Sequence, residues 1–202
     1  AVIRDIERLG KYLLIHTDRN LTLISHLGMS GSFRLRDARP EHLQKHDHVV
    51  IHLRGRGVAI YHDPRRFGML LLAPTDSVKQ HPLLARMGPD PLTKEFTAAY
   101  LFKRLQNCKT AIKIAIIDQC IIPGMGNIYA SEALFRAGIS PKRAANKVSK
   151  AQITALARAI PKVLQEAIAS GGSTLRDYLQ ASGEGGYFQH RFLVYDRAGE
   201  PC

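Results

Sequence analysis

Apolar and β-branched residues between Lys11 and Leu72 come in short runs, Tyr12–His16, Leu21–His26, Val49–Leu53, Val58–His62 and Met69–Leu72, separated by polar turns. Thr17-Asp18-Arg19-Asn20 and Arg54-Gly55-Arg56-Gly57 read as hairpin loops between them, which predicts an antiparallel sandwich or half of a barrel. The stretch from Ala73 to Pro91 carries Pro74, Pro82, Pro89 and Pro91 and no clear period, so it is expected to connect two lobes.

Beyond it the period turns helical. Thr93 is placed to cap a helix running to about Leu105, and Thr110 to cap a second, apolar helix that breaks at Pro123-Gly124-Met125-Gly126. A third helix restarts on Asn127, a side chain suited to capping, and stops near Gly138 with Pro141 beyond. Ser149 and Gln152 have capping-box spacing. Ile153, Leu156, Ala157, Ile160, Val163, Leu164, Ala167 and Ile168 then share one helical face, with Pro161 expected to kink the helix before Gly171-Gly172 ends it. A short helix from Thr174 to about Leu179, a glycine-rich loop Ser182-Gly183-Glu184-Gly185-Gly186 and a strand from Arg191 to Tyr195 complete the prediction.

Composition narrows the partners. Lys+Arg 29 against Asp+Glu 17 leaves a formal charge of +12, which favours a polyanion such as nucleic acid, although a basic ribosomal or membrane-surface protein would share that bias. No apolar run reaches the ~18 residues of a membrane span and the start is no signal peptide, so no membrane partner and a cytoplasmic location are expected. Cys108, Cys120 and Cys202 are too few and scattered for a disulfide framework, which fits a reducing compartment. A chain that begins without methionine and ends on a cysteine is read as cut at both ends.

Several stretches carry candidate chemistry. In the glycine turn before Asn127 the backbone can take left-handed torsions, and the following helix offers unpaired N–H groups to a phosphate; an ordinary helical corner has the same pattern. Met29, between Gly28 and Gly31, and the Pro64-Arg65-Arg66-Phe67 turn would project an apolar wedge beside guanidinium groups, unless Met29 and Phe67 belong to the core. His46 and His48 share a strand parity, so a metal site or a phosphate contact by His46 is open, as is simple packing. Lys109 and Lys113, four apart at a helix start, could pair with phosphates or stay solvated.

In order along the chain, Gly10-Lys11-Tyr12-Leu13-Leu14, His26 to Ser32, Lys45-His46-Asp47-His48, Asp63 to Gly68, Lys109 to Lys113, Gly124 to Phe135, Gly171 to Tyr178, Gly186-Tyr187-Phe188-Gln189 and Gly199 to Cys202 resemble bacterial formamidopyrimidine-DNA glycosylase. The resemblance implies an α+β protein: a β-sandwich lobe over residues 1–73 lacking its N-terminal part, a connection over 74–92, a helix-two-turn-helix DNA-binding lobe over 93–185, and the first strand of a zinc-finger hairpin over 186–202. It further implies a monomer that binds damaged double-stranded DNA in a bacterial cytoplasm, removes oxidised purines such as 8-oxoguanine and formamidopyrimidines by base flipping, and nicks the strand by β,δ-elimination. On this resemblance Lys11 is the catalytic lysine, and His46, Arg65, Lys109 and Asn127 contact DNA. Met29, Arg65 and Phe67 fill the gap left by the everted nucleotide, Ser182, Gly183 and Tyr187 belong to the loop that closes over the base, and Cys202 is one zinc ligand.

Departures from the family pattern shape the remaining expectations. The family nucleophile is an amino-terminal proline followed by glutamate; no such pair opens this sequence, and the region carrying it is expected to be missing, leaving a chain that binds DNA without cutting it. Zn2+ needs four ligands, so its site is expected to be incomplete. Ser182 and Gly185 stand where aspartate and proline are frequent, and Pro123 and Met125 flank the turn where small or β-branched residues are usual. A catalytically inert DNA-binding relative and an endonuclease VIII-type pyrimidine glycosylase are the alternatives. Gly126 to Glu132 and the Arg65-Arg66-Phe67 turn favour the purine branch.

Overall fold

The computed structural model describes residues 1–55, 57–173 and 185–200, which fall into two compact units. The first comprises Ala1–Arg8, Tyr12–Asp76 and Ser170–Gln189, the second Leu9–Lys11, Ser77–Ala169 and His190–Cys202.

The first unit holds two antiparallel sheets. Strands β1 (Ile3–Leu9), β2 (Tyr12–Thr17), β3 (Leu21–His26) and β7 (Met69–Pro74) form one, in the order β1-β2-β3-β7, while β4 (Ser32–Arg36), β6 (Val58–His62) and β5 (Asp47–His52) form the other. All five expected strands are present. β1 and β4 add to them: β1 places Ile3, Ile6 and Leu9 at a spacing that mimics a helix, and strand pairing overrides it. Buried Leu14 and Ile24 line the first sheet, and Val58, Ile60 and Tyr61 the second. The expected loop Thr17–Asn20 turns through Asn20 at φ 53°, and beyond Leu53 the β5–β6 connection closes with the Leu53 N–H donating to the Gly57 carbonyl at 2.9 Å.

Helices α1 (Ala98–Leu105), α2 (Ile112–Ile117), α3 (Asn127–Arg136) and α4 (Lys150–Ala169) make the second unit, with α4 packed against α1 and α3, and α2 against α3. Three expected caps move. Thr97, not Thr93, caps α1, its hydroxyl accepting from the Tyr100 N–H at 3.1 Å, whereas Thr93 closes a turn on the Asp90 carbonyl. α2 has no side-chain cap, because Thr110 instead bonds Cys108 Sγ, and it ends at Ile117, well before Pro123. Gly126, not Asn127, is the N-cap of α3, which leaves Asn127 exposed as the first helical residue. The C-terminal end follows expectation: Gly138 takes φ 64° and the Ile139 N–H reaches the Leu134 carbonyl. The capping box before α4 forms in both directions, Gln152 N–H to Ser149 Oγ at 3.2 Å and Ser149 N–H to Gln152 Oε1 at 3.3 Å. α4 continues across Pro161 and buries Ile153, Leu156, Ile160, Val163 and Ala167, while Ile168 faces solvent.

The strand expected from Arg191 to Tyr195 is absent. A short 3-10 helix over Phe188–Arg191 leads instead into turns, because three successive backbone N–H groups there are drawn onto one side chain of α3. The fold is thus α+β, two antiparallel sheets followed by a helical region, and no hairpin forms among the described residues after 186. The short helix from Thr174 lies outside the described residues.

Candidate nucleic-acid interface

In the first unit the turns at residues 27–31 and 63–68 are tied together by one buried carboxylate. Asp63, 1% exposed, accepts the Ser30 hydroxyl at 2.6 Å on one oxygen, and the Tyr61 hydroxyl at 3.2 Å and the Gly68 N–H at 2.8 Å on the other. Ser30 Oγ accepts in turn from the Arg65 N–H at 3.1 Å. Burial pushes the Asp63 pKa up, but the Ser30, Gly68, Tyr61 and Arg65 hydrogen bonds outweigh it and hold the carboxyl below its ordinary range. The same pairing works against ionisation of Tyr61: burial first, then the Asp63 charge, push its pKa up to about 12.

The turns meet backbone to backbone. Gly28 sits at φ 64°, and a Cβ there would lie 2.6 Å from the Phe67 carbonyl carbon and 2.7 Å from the Gly68 nitrogen, so a side chain would push the turns apart. What the knot presents is apolar and exposed: Met29 is 65% and Phe67 61% accessible, and the Arg65 guanidinium lies 5.2 Å from the centre of the Phe67 ring. Met29 and Phe67 are therefore not core residues. Such side chains held out by buried hydrogen bonds can enter an apolar gap without reorganising the backbone.

The histidines flank this knot. The Asp63 N–H donates to the His46 carbonyl at 3.0 Å and His48 Nε2 donates to the Asp63 carbonyl at 2.8 Å, while His62 Nδ1 donates to Asp47 at 2.8 Å. His46 lies in the turn ahead of β5, and the register shifts between Asp47 and Val49, so the shared strand parity with His48 does not exist. Among the described residues no group of three or more His, Cys, Asp or Glu is placed to hold a metal.

In the second unit the glycine turn is built by an amide that the sequence pattern does not single out. Gln119 donates from Nε2 to the carbonyls of Ile117 at 2.8 Å and Met125 at 3.1 Å, and its Oε1 accepts the Gly124 N–H at 2.8 Å. It thereby joins the end of α2 to the start of α3, with Gly124 at φ 88° and Met125 fully buried. Gly10 packs on this turn: a Cβ on it would come within 3.1 Å of Pro123 Cβ and 3.3 Å of the Gly124 nitrogen. Lys11 follows, and its Nζ lies 3.6 Å from where a Cβ on Gly126 would be. Partial desolvation holds that ammonium below its ordinary pKa. Asn127 is exposed beside it, at a helix start whose N–H groups lack a side-chain cap.

Lys109 is exposed but lies before α2, so it does not share a helix face with Lys113. Glu132 of α3, fully buried, is the side chain that displaces the expected strand: it accepts from the N–H groups of Leu193 at 2.9 Å and of Val194 and Tyr195 at 3.0 Å. Tyr187 is 65% exposed, and Ser182, Gly183 and Cys202 lie outside the described residues. Asp63, Gln119 and Glu132 do not stand out in the sequence as fixing residues, because the residues around each carry no local signal of which groups it bonds. Asp63 reads there only as the start of a turn.

Two units of this makeup, antiparallel sheets with Met29 and Phe67 exposed and helices meeting at a glycine turn, fit a helix-two-turn-helix protein. The family model described as the formamidopyrimidine-DNA glycosylase N-terminal domain matches residues 1–70, and the one described as the formamidopyrimidine-DNA glycosylase H2TH domain matches residues 87–178. The chain belongs to the formamidopyrimidine-DNA glycosylase family. It is similar to the formamidopyrimidine-DNA glycosylase of Ruegeria sp., 47% identical over 208 residues, covering 99% of this chain and 73% of that protein. The crystal structure of the MutM (Fpg) protein of Thermus thermophilus superposes with a TM-score of 0.89 at 41% identity, and that of Lactococcus lactis Fpg with DNA containing an abasic site with 0.90 at 36%; each alignment covers 99% of this chain and 73% of the other. The match to residues 1–70 corrects one expectation: the N-terminal domain, to which the family's nucleophile region belongs, is present rather than missing. The expectation of a chain that binds without cutting loses the premise on which it rested.

Proposed function

We propose that this protein is a bifunctional DNA glycosylase and abasic-site lyase of base-excision repair, which removes oxidised purines from duplex DNA and then nicks the strand. The observation that carries the reading is the Asp63 knot, which ties together the two turns that bear the exposed Met29, Arg65 and Phe67. A damaged base must leave the stack before its glycosidic bond can be attacked, at a cost of a few kcal/mol, and apolar side chains entering the gap offset that cost.

An amine then attacks C1′ and loses its proton, while the base leaves with the glycosidic electron pair. The nitrogen lone pair next expels O4′, which takes up a proton as the sugar ring opens, and C1′ becomes an iminium. That iminium makes the C2′ proton removable, so the 3′ phosphate departs; a second elimination releases the 5′ phosphate. Lys11 is the proposed catalytic lysine, supported by its desolvated ammonium beside Gly126, since such a group yields a proton more readily than a solvated one. His46, Arg65, Lys109 and Asn127 are proposed to hold phosphates or base edges, Asn127 with support from the uncapped start of α3. Residues 1–73 then carry the wedge with His46 and Arg65, and residues 93–185 carry Lys109 and Asn127.

Ser182, Gly183 and Tyr187 are proposed to close over the everted base, a role that rests on the family likeness. So does Zn2+, with Cys202 as one ligand of a hairpin beginning near residue 186. The described residues offer no metal-holding group, and no step is routed through zinc. A monomer acting in a bacterial cytoplasm is proposed on the family likeness; the similar proteins are bacterial, and no described helix is long and apolar enough to cross a membrane.

The test is excision from a duplex with one 8-oxoguanine. The intact protein should release the base, leave phosphates at both ends of the nick, and be trapped on the strand by borohydride. Release of an oxidised pyrimidine in preference would favour the endonuclease VIII-type reading, and DNA binding with neither release nor trapping would overturn the proposal.

A further inference from the structure

The positive charge of the second unit is concentrated along two runs without a single carboxylate. From Phe96 to Ile117 and from Ala133 to Gln165 the sequence has no Asp or Glu, yet it carries Lys103, Arg104, Lys109 and Lys113 in the first run and Arg136, Lys142, Arg143, Lys147, Lys150, Arg158 and Lys162 in the second.

The fold zips parts of these runs together. The Ile112 N–H donates to the Arg143 carbonyl at 2.7 Å, the Lys113 N–H to the Pro141 carbonyl at 3.3 Å, the Ala145 N–H to Thr110 at 2.9 Å and the Asn146 N–H to Cys108 at 2.9 Å, about an antiparallel bridge between Ala111 and Ala144. The bridge brings the segment that carries Lys109 against the one that carries Lys142, Arg143 and Lys147. Lys109, Lys142, Arg143, Lys147 and Lys150 are all exposed. Like charges gathered on neighbouring segments repel. Some arginines do meet a carboxylate, as in Arg34 with Asp47, Arg136 with Glu166 and Arg197 with Glu200. Among the described residues none of the ribbon's lysines is in an ion pair, and Arg143 reaches the neutral Gln152 Oε1 at 3.2 Å.

We infer that Lys142, Arg143, Lys147 and Lys150 extend the duplex contact from Lys109 along the phosphate backbone, as a sequence-independent track. This inference rests on the proposed DNA-binding role of Lys109. The ribbon's charged side chains are lysines and an arginine, which pair with phosphate oxygens whatever the base sequence. A uniform duplex is the polyanion that a one-sign stripe continuous with an existing phosphate contact would follow.

The experiment measures affinity for undamaged duplex against salt concentration, for the parent, for the variant Lys142→Gln, Arg143→Gln, Lys147→Gln, Lys150→Gln, and for Asn127→Ala. Each charge that pairs with a phosphate contributes about 0.9 to the log–log slope, so the fourfold variant should flatten the slope by about 2 or more and weaken binding about tenfold at ~0.1 M salt. The loss should be larger on a duplex of several helical turns than on one of a single turn. The matching lysine-to-arginine variant should keep the parent slope, which separates charge from folding. An unchanged slope in the glutamine variant, with Asn127→Ala weakened, overturns the track and leaves the proposed function standing. If neither variant changes DNA binding, the DNA-binding reading itself fails.

Discussion

The two turns that present the candidate groups are built by opposite means. In the first unit a buried charge, Asp63, gathers a serine hydroxyl, a phenol and a backbone N–H, and so holds large apolar side chains out in solvent. In the second a neutral amide, Gln119, spans two carbonyls and one N–H, and the group it sets out is a polar side chain at a helix start. Exposing Met29 and Phe67 works against the hydrophobic effect, so their turn needs the stronger, charge-assisted anchor. Asn127 prefers water in any case, and a neutral clamp suffices.

The largest expected effect follows from removing the charge. Asp63→Ala strands the Ser30 and Tyr61 hydroxyls and the Gly68 N–H in a buried site, and should cost about 3 kcal/mol of stability by urea denaturation while abolishing excision. A variant as stable as the parent would show that the knot is not what holds the turns.

Met29→Ala and Phe67→Ala should separate presentation from support. Because both side chains are largely exposed, stability should change by about 0.5 kcal/mol or less, yet single-turnover excision of paired 8-oxoguanine should slow about tenfold or more. Cleavage at an abasic site, where little unstacking remains, should be nearly unaffected; equal defects on both substrates would refute the wedge. Arg65→Ala should in addition weaken discrimination of the base opposite the lesion.

In the second unit Gln119→Ala should weaken binding to damaged and undamaged duplex alike by about 1 to 3 kcal/mol, as should Asn127→Ala. If the amide acts through the turn, the double variant loses little more than either single one. Fully additive losses would mean that the two residues work independently.

The smallest effect is one of pH. A carboxyl whose folded-state pKa is depressed contributes stability that is present above its unfolded value of about 3.9 and is lost as pH falls through the folded value. Asp63 should therefore make part of the first unit's stability acid-sensitive, and Asp63→Asn should remove that part of the dependence. Gln119 does not titrate, so Gln119→Ala should leave the acid profile parallel to the parent.

Periodicity and spacing expose the strands, the helices and the projecting residues, because alternation, the Ser149–Gln152 box and the Gly138 stop are local. Motif order is enough to bring Lys11, Met29, Phe67 and Asn127 forward. The fixing residues stay hidden for the converse reason: Asp63 meets Ser30 across 33 positions, and Glu132 meets Leu193 across 61, and nothing near either residue names its partner. The strand expected at Arg191 fails on that account. Its backbone donors serve a carboxylate on α3 in place of a neighbouring strand.

Asp63 gives the first unit a scaffold separate from its working parts. The groups that shape the two turns are buried, while those at positions 29, 65 and 67 bear almost none of the structural burden. Side chains there can be exchanged by evolution or by an engineer much as tool bits are changed in a fixed chuck, and a library confined to those three positions should retain the fold while it retunes which opened duplexes are tolerated.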